Sequence, residues 1–61
     1  MRYAYYAMDT QGRRRTTPTT LKHVARADVA RLNKRGVIAT LVFVELTPEN
    51  MRAVMALPEI I

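Results

Sequence analysis

The sequence predicts a small α+β fold with a three-stranded sheet and two helices, whose strands and helices occur along the chain in the order β-β-α-β-α. Three observations support this prediction. An aromatic-rich segment precedes a turn sequence, an apolar stripe of helical period runs through residues 21–35, and a long apolar run occupies residues 37–46. At 61 residues, the chain is expected to form one domain covering residues 1–61.

The N-terminal residues are predicted to form a β-hairpin. Arg2–Met8 is rich in aromatic residues and contains no Gly or Pro, which favours a strand. Asp9–Gly12 fits a type I turn whose Gly takes a positive φ. The return strand is expected from Arg13 to about Thr17, and it is expected to be short or at an edge because Pro18 has no N–H for the ladder.

Residues 21–35 are predicted to form an amphipathic helix. Thr19 or Thr20 can cap its first turn, and Gly36 suits the position just after its end. Its apolar stripe consists of Leu21, Val24, Ala25, Val29 and Leu32.

Asp28 lies near the middle of this apolar stripe, where a charge is unexpected. We expect it at the stripe's edge, paired with Arg31 or Lys22, because such short-range pairs are ordinary on helices. The alternative is that Asp28 caps a shorter helix that begins there.

The C-terminal part is predicted to form a strand, a helix and a short tail. Val37–Leu46 carries apolar residues on both alternating faces, which is typical of a central strand covered on both sides. Thr47 is expected to cap the second helix, with Pro48 at its first position. Pro58 ends this helix and leaves the apolar tail Glu59–Ile61.

One face of the predicted sheet is a candidate interface. If both helices cover the same face, the other face still carries large apolar side chains. An exposed apolar face on a small domain usually marks a binding surface. The residues that could lie there are Tyr3, Tyr5, Tyr6, Leu41 and Phe43.

The charge balance limits the classes of function. The chain has ten Lys and Arg, five Asp and Glu, one His and no Cys, which gives a net charge of +5 and favours acidic partners. The absence of Cys excludes disulfides and Cys-based zinc sites. Because His23 has no identifiable catalytic partner and the acids are scattered singly, we expect no enzymatic activity, cofactor or metal. No apolar stretch reaches the roughly 18 residues of a membrane span, so a cytoplasmic location is expected and membrane association is not.

Two basic clusters remain as candidate binding residues. Arg13, Arg14 and Arg15 follow the predicted turn and could contact phosphates, or could keep the hairpin tip soluble and block strand pairing at the edge. Lys22 and Arg26 add positive charge to the first helix.

The segment Tyr5–Arg14 resembles the start of the inner-membrane platform (F) proteins of type II secretion and type IV pilus assembly. These proteins open with an aromatic-x-Ala-hydrophobic-Asp-x-x-Gly hairpin, followed by a helix and a hydrophobic strand. Leu32 and Gly36–Val44 occupy the corresponding places, so the resemblance covers residues 3–44. The chain departs from the family at Thr17-Pro18 and Leu21, and the family's helical bundles and membrane spans do not follow. The resemblance implies a cytoplasmic docking module and no catalytic residue.

Together these observations favour a non-enzymatic protein–protein interaction module that binds an acidic or apolar surface of another protein or of a second copy. Its expected contact residues are Tyr3, Tyr5, Tyr6, Arg13, Arg14 and Arg15. The alternative is a small nucleic-acid-binding regulator that uses Arg13, Arg14, Arg15, Lys22 and Arg26.

Overall fold

The computed structural model describes residues 1–60 and contains two strands and two helices. Their order is β1 (Tyr3–Asp9), α1 (Lys22–Lys34), β2 (Ala39–Glu45) and α2 (Pro48–Met55). Helix α1 packs against both strands. The α+β class and the two helices are therefore confirmed. Ile61, the last residue of the predicted tail, lies outside the described residues.

The prediction of a three-stranded sheet is wrong. Within residues 1–60 the sheet has two antiparallel strands, paired from Tyr3 opposite Glu45 to Asp9 opposite Ala39. The residues expected to form the third strand, Arg13 to about Thr17, lie in a longer segment, here called the return segment (residues 13–19). It runs beside β1 but meets it in isolated bridges only.

A bulge in the return segment explains this difference. Its two bridges, Met8–Arg14 and Tyr5–Thr19, are three residues apart on β1 but five apart on the return segment. The two extra residues interrupt the ladder. Within the interruption, the hydroxyl of Thr16 accepts the Ala7 N–H at 2.9 Å, in place of a backbone carbonyl. Pro18 lies in the same stretch and has no N–H to contribute.

The position of β2 also differs from expectation. The sequence predicts a central strand, but among the described residues β2 pairs with β1 alone and lies at the edge of the sheet. Apolar residues on both of its faces predict burial from above and below, but Phe43 is 61% exposed, so one face is not fully covered. They say nothing about whether a second strand lies beside it.

The hairpin turn agrees with its prediction. The Gly12 N–H donates to the Asp9 carbonyl at 3.2 Å, and Gly12 has a φ of 75°, in the left-handed region that glycine adopts without strain. The Asp9 side chain reinforces the turn by accepting the N–H groups of Gln11 at 2.9 Å and Arg13 at 3.0 Å. The turn is therefore held by both backbone and side-chain bonds.

The predicted C-terminus of α1 and N-terminus of α2 are confirmed. Gly36 has a φ of 87°, its N–H donates to Asn33, and the Val37 N–H donates to Leu32, which together form a Schellman motif. At the start of α2, the hydroxyl of Thr47 accepts the Asn50 N–H at 3.1 Å.

The N-terminus of α1 lacks the predicted threonine cap. Leu21 occupies the N-cap position, and no side chain there bonds a helix N–H. The hydroxyl of Thr19 accepts the Leu21 N–H instead, at 3.1 Å. Asp28 pairs with Arg31 inside the helix, as predicted, so the alternative that Asp28 starts a shorter helix is wrong.

The core is built mainly from small side chains. Among residues 1–60, six apolar residues are buried and four of them are alanines; the six are Ala4, Tyr6, Ala7, Ala25, Ala39 and Val54. Alanine buries little area, so the larger buried side chains carry a large share of the packing. Tyr6 and Arg14 are the largest of these.

Arg14 connects the two ends of the chain. Its N–H donates to the Pro58 carbonyl at 2.7 Å, and its carbonyl accepts the Ile60 N–H at 3.0 Å. Residues 58–60, here called the tail, thus lie parallel to the return segment. The Arg14 side chain, only 1% exposed, donates to the Thr16 carbonyl at 2.8 Å and pairs with Glu59.

A candidate interaction surface on the sheet

Three aromatic side chains form a cluster on one face of the sheet. Tyr5 lies opposite Phe43, and Tyr3 lies two residues before Tyr5, so the register places all three on the same face. The ring centroids of Tyr3 and Phe43 are 5.7 Å apart in an edge-to-face arrangement, and those of Tyr5 and Phe43 are 6.3 Å apart. We call Tyr3, Tyr5 and Phe43 the aromatic patch.

The aromatic patch is open to solvent. Phe43 is 61% exposed, and Tyr3 and Tyr5 are half-buried. The other end of the same face is closed, because Ala7 and the Asp9 side chain are buried. The predicted apolar surface therefore occupies one end of the face only.

Tyr6, a predicted contact residue, lies on the opposite face and is buried. Burial raises the pKa of the Tyr6 hydroxyl above its usual value of 10.0, and the positive charge of Arg14 opposes this rise. Because its ring packs inside the protein, Tyr6 cannot contact a partner unless the fold opens.

The predicted arginine cluster is divided by ion pairs. Arg13 Nε lies 3.0 Å from Asp9 Oδ2, and an Arg15 guanidinium nitrogen lies 3.5 Å from the same oxygen. Arg14 points to the other face and is buried against Glu59. Of the three side chains, Arg13 is the most accessible, at 40% exposed, so the three arginines do not form one continuous basic rim.

Asp9 is the centre of this ion-pair cluster. Partial desolvation raises the pKa of the Asp9 carboxyl group. Hydrogen bonds from the N–H groups of Arg13 and Gln11 and from the Arg13 guanidinium together lower the pKa by a larger amount. The net pKa lies below the usual 3.8, so Asp9 is ionised at neutral pH and neutralises part of the arginine charge.

The basic residues of α1 line a separate open cleft. Its lining residues, all exposed, are Thr20, Leu21, Lys22, His23 and Arg26. Thr19 pairs with Tyr5 through both of its backbone groups, and α1 begins three residues later. The cleft therefore lies near the end of the sheet that carries the aromatic patch.

Phe43 is the member of the aromatic patch that the list of expected contact residues omitted. The sequence places it among the candidates for the open face, but the pairing of Tyr5 with Phe43 becomes visible only in the structure. A row of alternating residues indicates that Phe43 and Leu41 share a face. This alternation does not show which residue of β1, more than thirty positions away in the sequence, lies opposite Phe43.

Comparison of the chain with protein-family models, curated proteins and solved structures finds no match. The resemblance to the secretion platform proteins therefore stays a prediction. Among residues 1–60, no helix combines the length and hydrophobicity that a membrane crossing requires.

Proposed function

We propose that this chain is a non-enzymatic protein-interaction module of the cytoplasm, and that it binds its partner through the aromatic patch. The exposure of Phe43 carries the proposal. A large apolar side chain that packs against two tyrosines and is still 61% exposed is costly to keep in water. Aromatic residues are also the side chains most enriched at the centres of protein interfaces.

The charge of the chain favours a partner with an acidic rim. The net charge of +5 attracts acidic surfaces over long range. The patch itself is apolar, so contact there depends on burial and is insensitive to salt. For a partner other than a second copy, we therefore propose a surface with an apolar centre and acidic surroundings.

Replacing Phe43 by serine tests this function. We expect Phe43→Ser to abolish capture of the partner from a lysate of the source organism, because the centre of the patch is lost. The free energy of unfolding should change by less than about 1 kcal/mol, since Phe43 is mostly exposed already. Affinity capture with quantitative mass spectrometry measures the first effect, and urea denaturation measures the second.

Ile38→Ser is the matched control. Ile38 is 70% exposed and lies outside the aromatic patch, so this change removes an exposed apolar side chain elsewhere. A protein lost with Phe43→Ser but kept with Ile38→Ser supports the proposal. Equal capture by the native chain and by Phe43→Ser contradicts it for every partner other than a second copy.

Nucleic-acid binding is the second candidate function. It is favoured by the short distance between the basic cleft and the aromatic patch. Exposed rings on a sheet can stack on the bases of a single strand while nearby cations contact its phosphates. Lys22 and Arg26 would supply these cations, because both are exposed. The three hairpin arginines contribute less, since each already has a carboxylate partner.

A salt series separates the two functions. If the chain binds single strands, log K should fall with log salt by about 0.7 per phosphate contact. The double variant Lys22→Ser, Arg26→Ser should then reduce this slope by about 1.4, and fluorescence anisotropy with a labelled oligonucleotide measures it. Affinity that is unchanged by salt and by the double variant rules out this function.

A further inference from the structure

The hydrogen bonds of β1 determine which groups of β2 point outward. The Tyr5 N–H donates to Thr19 at 2.7 Å, and the Ala7 carbonyl accepts from Arg15 at 2.9 Å, so Tyr5 and Ala7 direct their backbone groups to the return segment. Successive residues of an antiparallel strand alternate in direction. The residues of β1 that bond β2 are therefore Ala4, Tyr6 and Met8.

It follows that Leu41 and Phe43 direct their backbone groups away from β1. They lie opposite Ala7 and Tyr5, in pairs that do not exchange hydrogen bonds. Within the described part of the chain, no group outside the sheet bonds their N–H or carbonyl groups. The outer edge of β2 thus presents unpaired donors and acceptors.

This edge lacks the usual protection against strand pairing. Between Ala39 and Glu45 there is no Pro and no Lys or Arg, and its pairing with β1 contains no bulge. At each end of this edge, one backbone group is already bonded within the chain. The Ala39 N–H donates to the side chain of Asn33, and the Glu45 carbonyl accepts from Thr47 and Asn50.

We propose that β2 pairs with β2 of a second copy, antiparallel and centred on Val42. In this register Leu41 of each copy lies opposite Phe43 of the other, and each such pair exchanges both of its N–H···O bonds. Ala39 of each copy lies opposite Glu45 of the other. Of the groups that face each other there, the Ala39 N–H and the Glu45 carbonyl are already bonded within each chain. The Glu45 N–H of one copy and the Ala39 carbonyl of the other would bond each other across the interface.

This complementarity is the reason for choosing a second copy as the partner. A two-fold axis through Val42 makes the edge complementary to itself, and the interface is then isologous and closed. The pairing also brings Phe43 of the two copies into diagonal positions, about 7–8 Å apart, within reach of aromatic contact. The two aromatic patches would then form one surface.

The inference rests on the proposed function, because it names the partner of that same surface. The net charge of +5 on each copy opposes the pairing. Dimerisation should therefore strengthen with added salt, which is the opposite of the salt response of nucleic-acid binding.

A single cysteine tests the register. The chain has no Cys, so Val42→Cys introduces one thiol without background. On the proposed axis, the two Cα atoms would be about 4.5 Å apart, which permits a disulfide. We expect Val42→Cys to form a covalent dimer under mild oxidation, detected by non-reducing electrophoresis. Thr40→Cys is the control and should not cross-link, because Thr40 lies opposite Val44 of the second copy.

A proline at the edge tests the hydrogen bonds. Leu41→Pro removes an outward N–H and leaves the β1 ladder intact, whereas Leu41→Ala removes the side chain and keeps the N–H. Analytical ultracentrifugation should give a dimer for the native chain and for Leu41→Ala. For Leu41→Pro the dissociation constant should rise at least about tenfold. Circular dichroism identifies an unfolded variant, and the cysteine experiment does not depend on this one.

The outcomes separate this inference from the proposed function. A native chain that stays monomeric at millimolar concentration, or Thr40→Cys cross-linking faster than Val42→Cys, overturns the dimer. If such a monomer still captures another protein through Phe43, the proposed function stands without the dimer. If the dimer forms, and Phe43→Ser captures the same other proteins as the native chain, the second copy is the partner and the inference holds.

Discussion

Arg14→Ala is expected to lower the free energy of unfolding by about 2–4 kcal/mol. The side chain is only 1% exposed, and it donates to the Thr16 carbonyl and pairs with Glu59. Its removal leaves a cavity, an unpaired carbonyl and a tail without its side-chain anchor. A chain of 61 residues has a total of about 3–9 kcal/mol, so this variant should be close to unfolding. Urea denaturation followed by circular dichroism measures the change.

Two further variants test whether the burial of Arg14 causes this loss of stability. Arg13→Ala removes a neighbouring arginine of the same sequence run, but Arg13 is 40% exposed, so its ion pair with Asp9 should be worth at most about 1 kcal/mol. Glu59→Gln keeps the shape of the tail, and its cost should also be small because Glu59 is 54% exposed and stays in contact with water. Equal and small costs for Arg14→Ala and Arg13→Ala would contradict a structural role for Arg14.

Tyr6→Ala is expected to be the most destabilising single change, at about 3–5 kcal/mol. Tyr6 is the largest apolar side chain among the buried residues, and most of the others are alanines that cannot move to fill the space. Thermal denaturation should therefore show little or no cooperative transition for this variant. A cooperative transition near the native midpoint would mean that Tyr6 is not part of the core.

Tyr6→Phe is the matched control, and it also tests the pH dependence. The ring is retained, so stability at pH 7 should stay within about 1 kcal/mol of the native value. Because the pKa of Tyr6 is raised above 10.0 in the folded state, the native chain has its full stability below pH 10 and loses part of it as the pH rises through the folded value. Tyr6→Phe should lack this component. Denaturation at several pH values between 9 and about 11.5 measures how the free energy of unfolding of each protein changes with pH.

The local features of the fold could be predicted from the sequence because neighbouring residues determine them. Gly12 and Gly36 occupy positions of positive φ, and Thr47 and Pro48 begin α2, as their residue types indicate. The order of β1, α1, β2 and α2 follows from these boundaries, but the extra strand predicted after β1 does not form. The aromatic face could be predicted as well, since alternation alone places Tyr3 and Tyr5 together.

The features that the sequence could not predict depend on contacts between distant residues. Thr16 competes for the N–H of Ala7 and interrupts the third strand, and only the fold brings these two groups together. Arg14 looks like its two neighbours in the sequence, but the tail covers it and pairs it with a glutamate 45 positions away. A charged residue is therefore part of the interior, and a hydrophobic one, Phe43, is on the surface.

The contact between the tail and the return segment has a consequence for biosynthesis. The backbone N–H and carbonyl of Arg14 can form their bonds only when Pro58 and Ile60 are available, and both of these residues are synthesised long after Arg14. Until these residues are synthesised, the Arg14 N–H and carbonyl stay hydrated while β1 and the return segment are already outside the ribosome. The complete fold therefore forms only after residue 60 has left the exit tunnel.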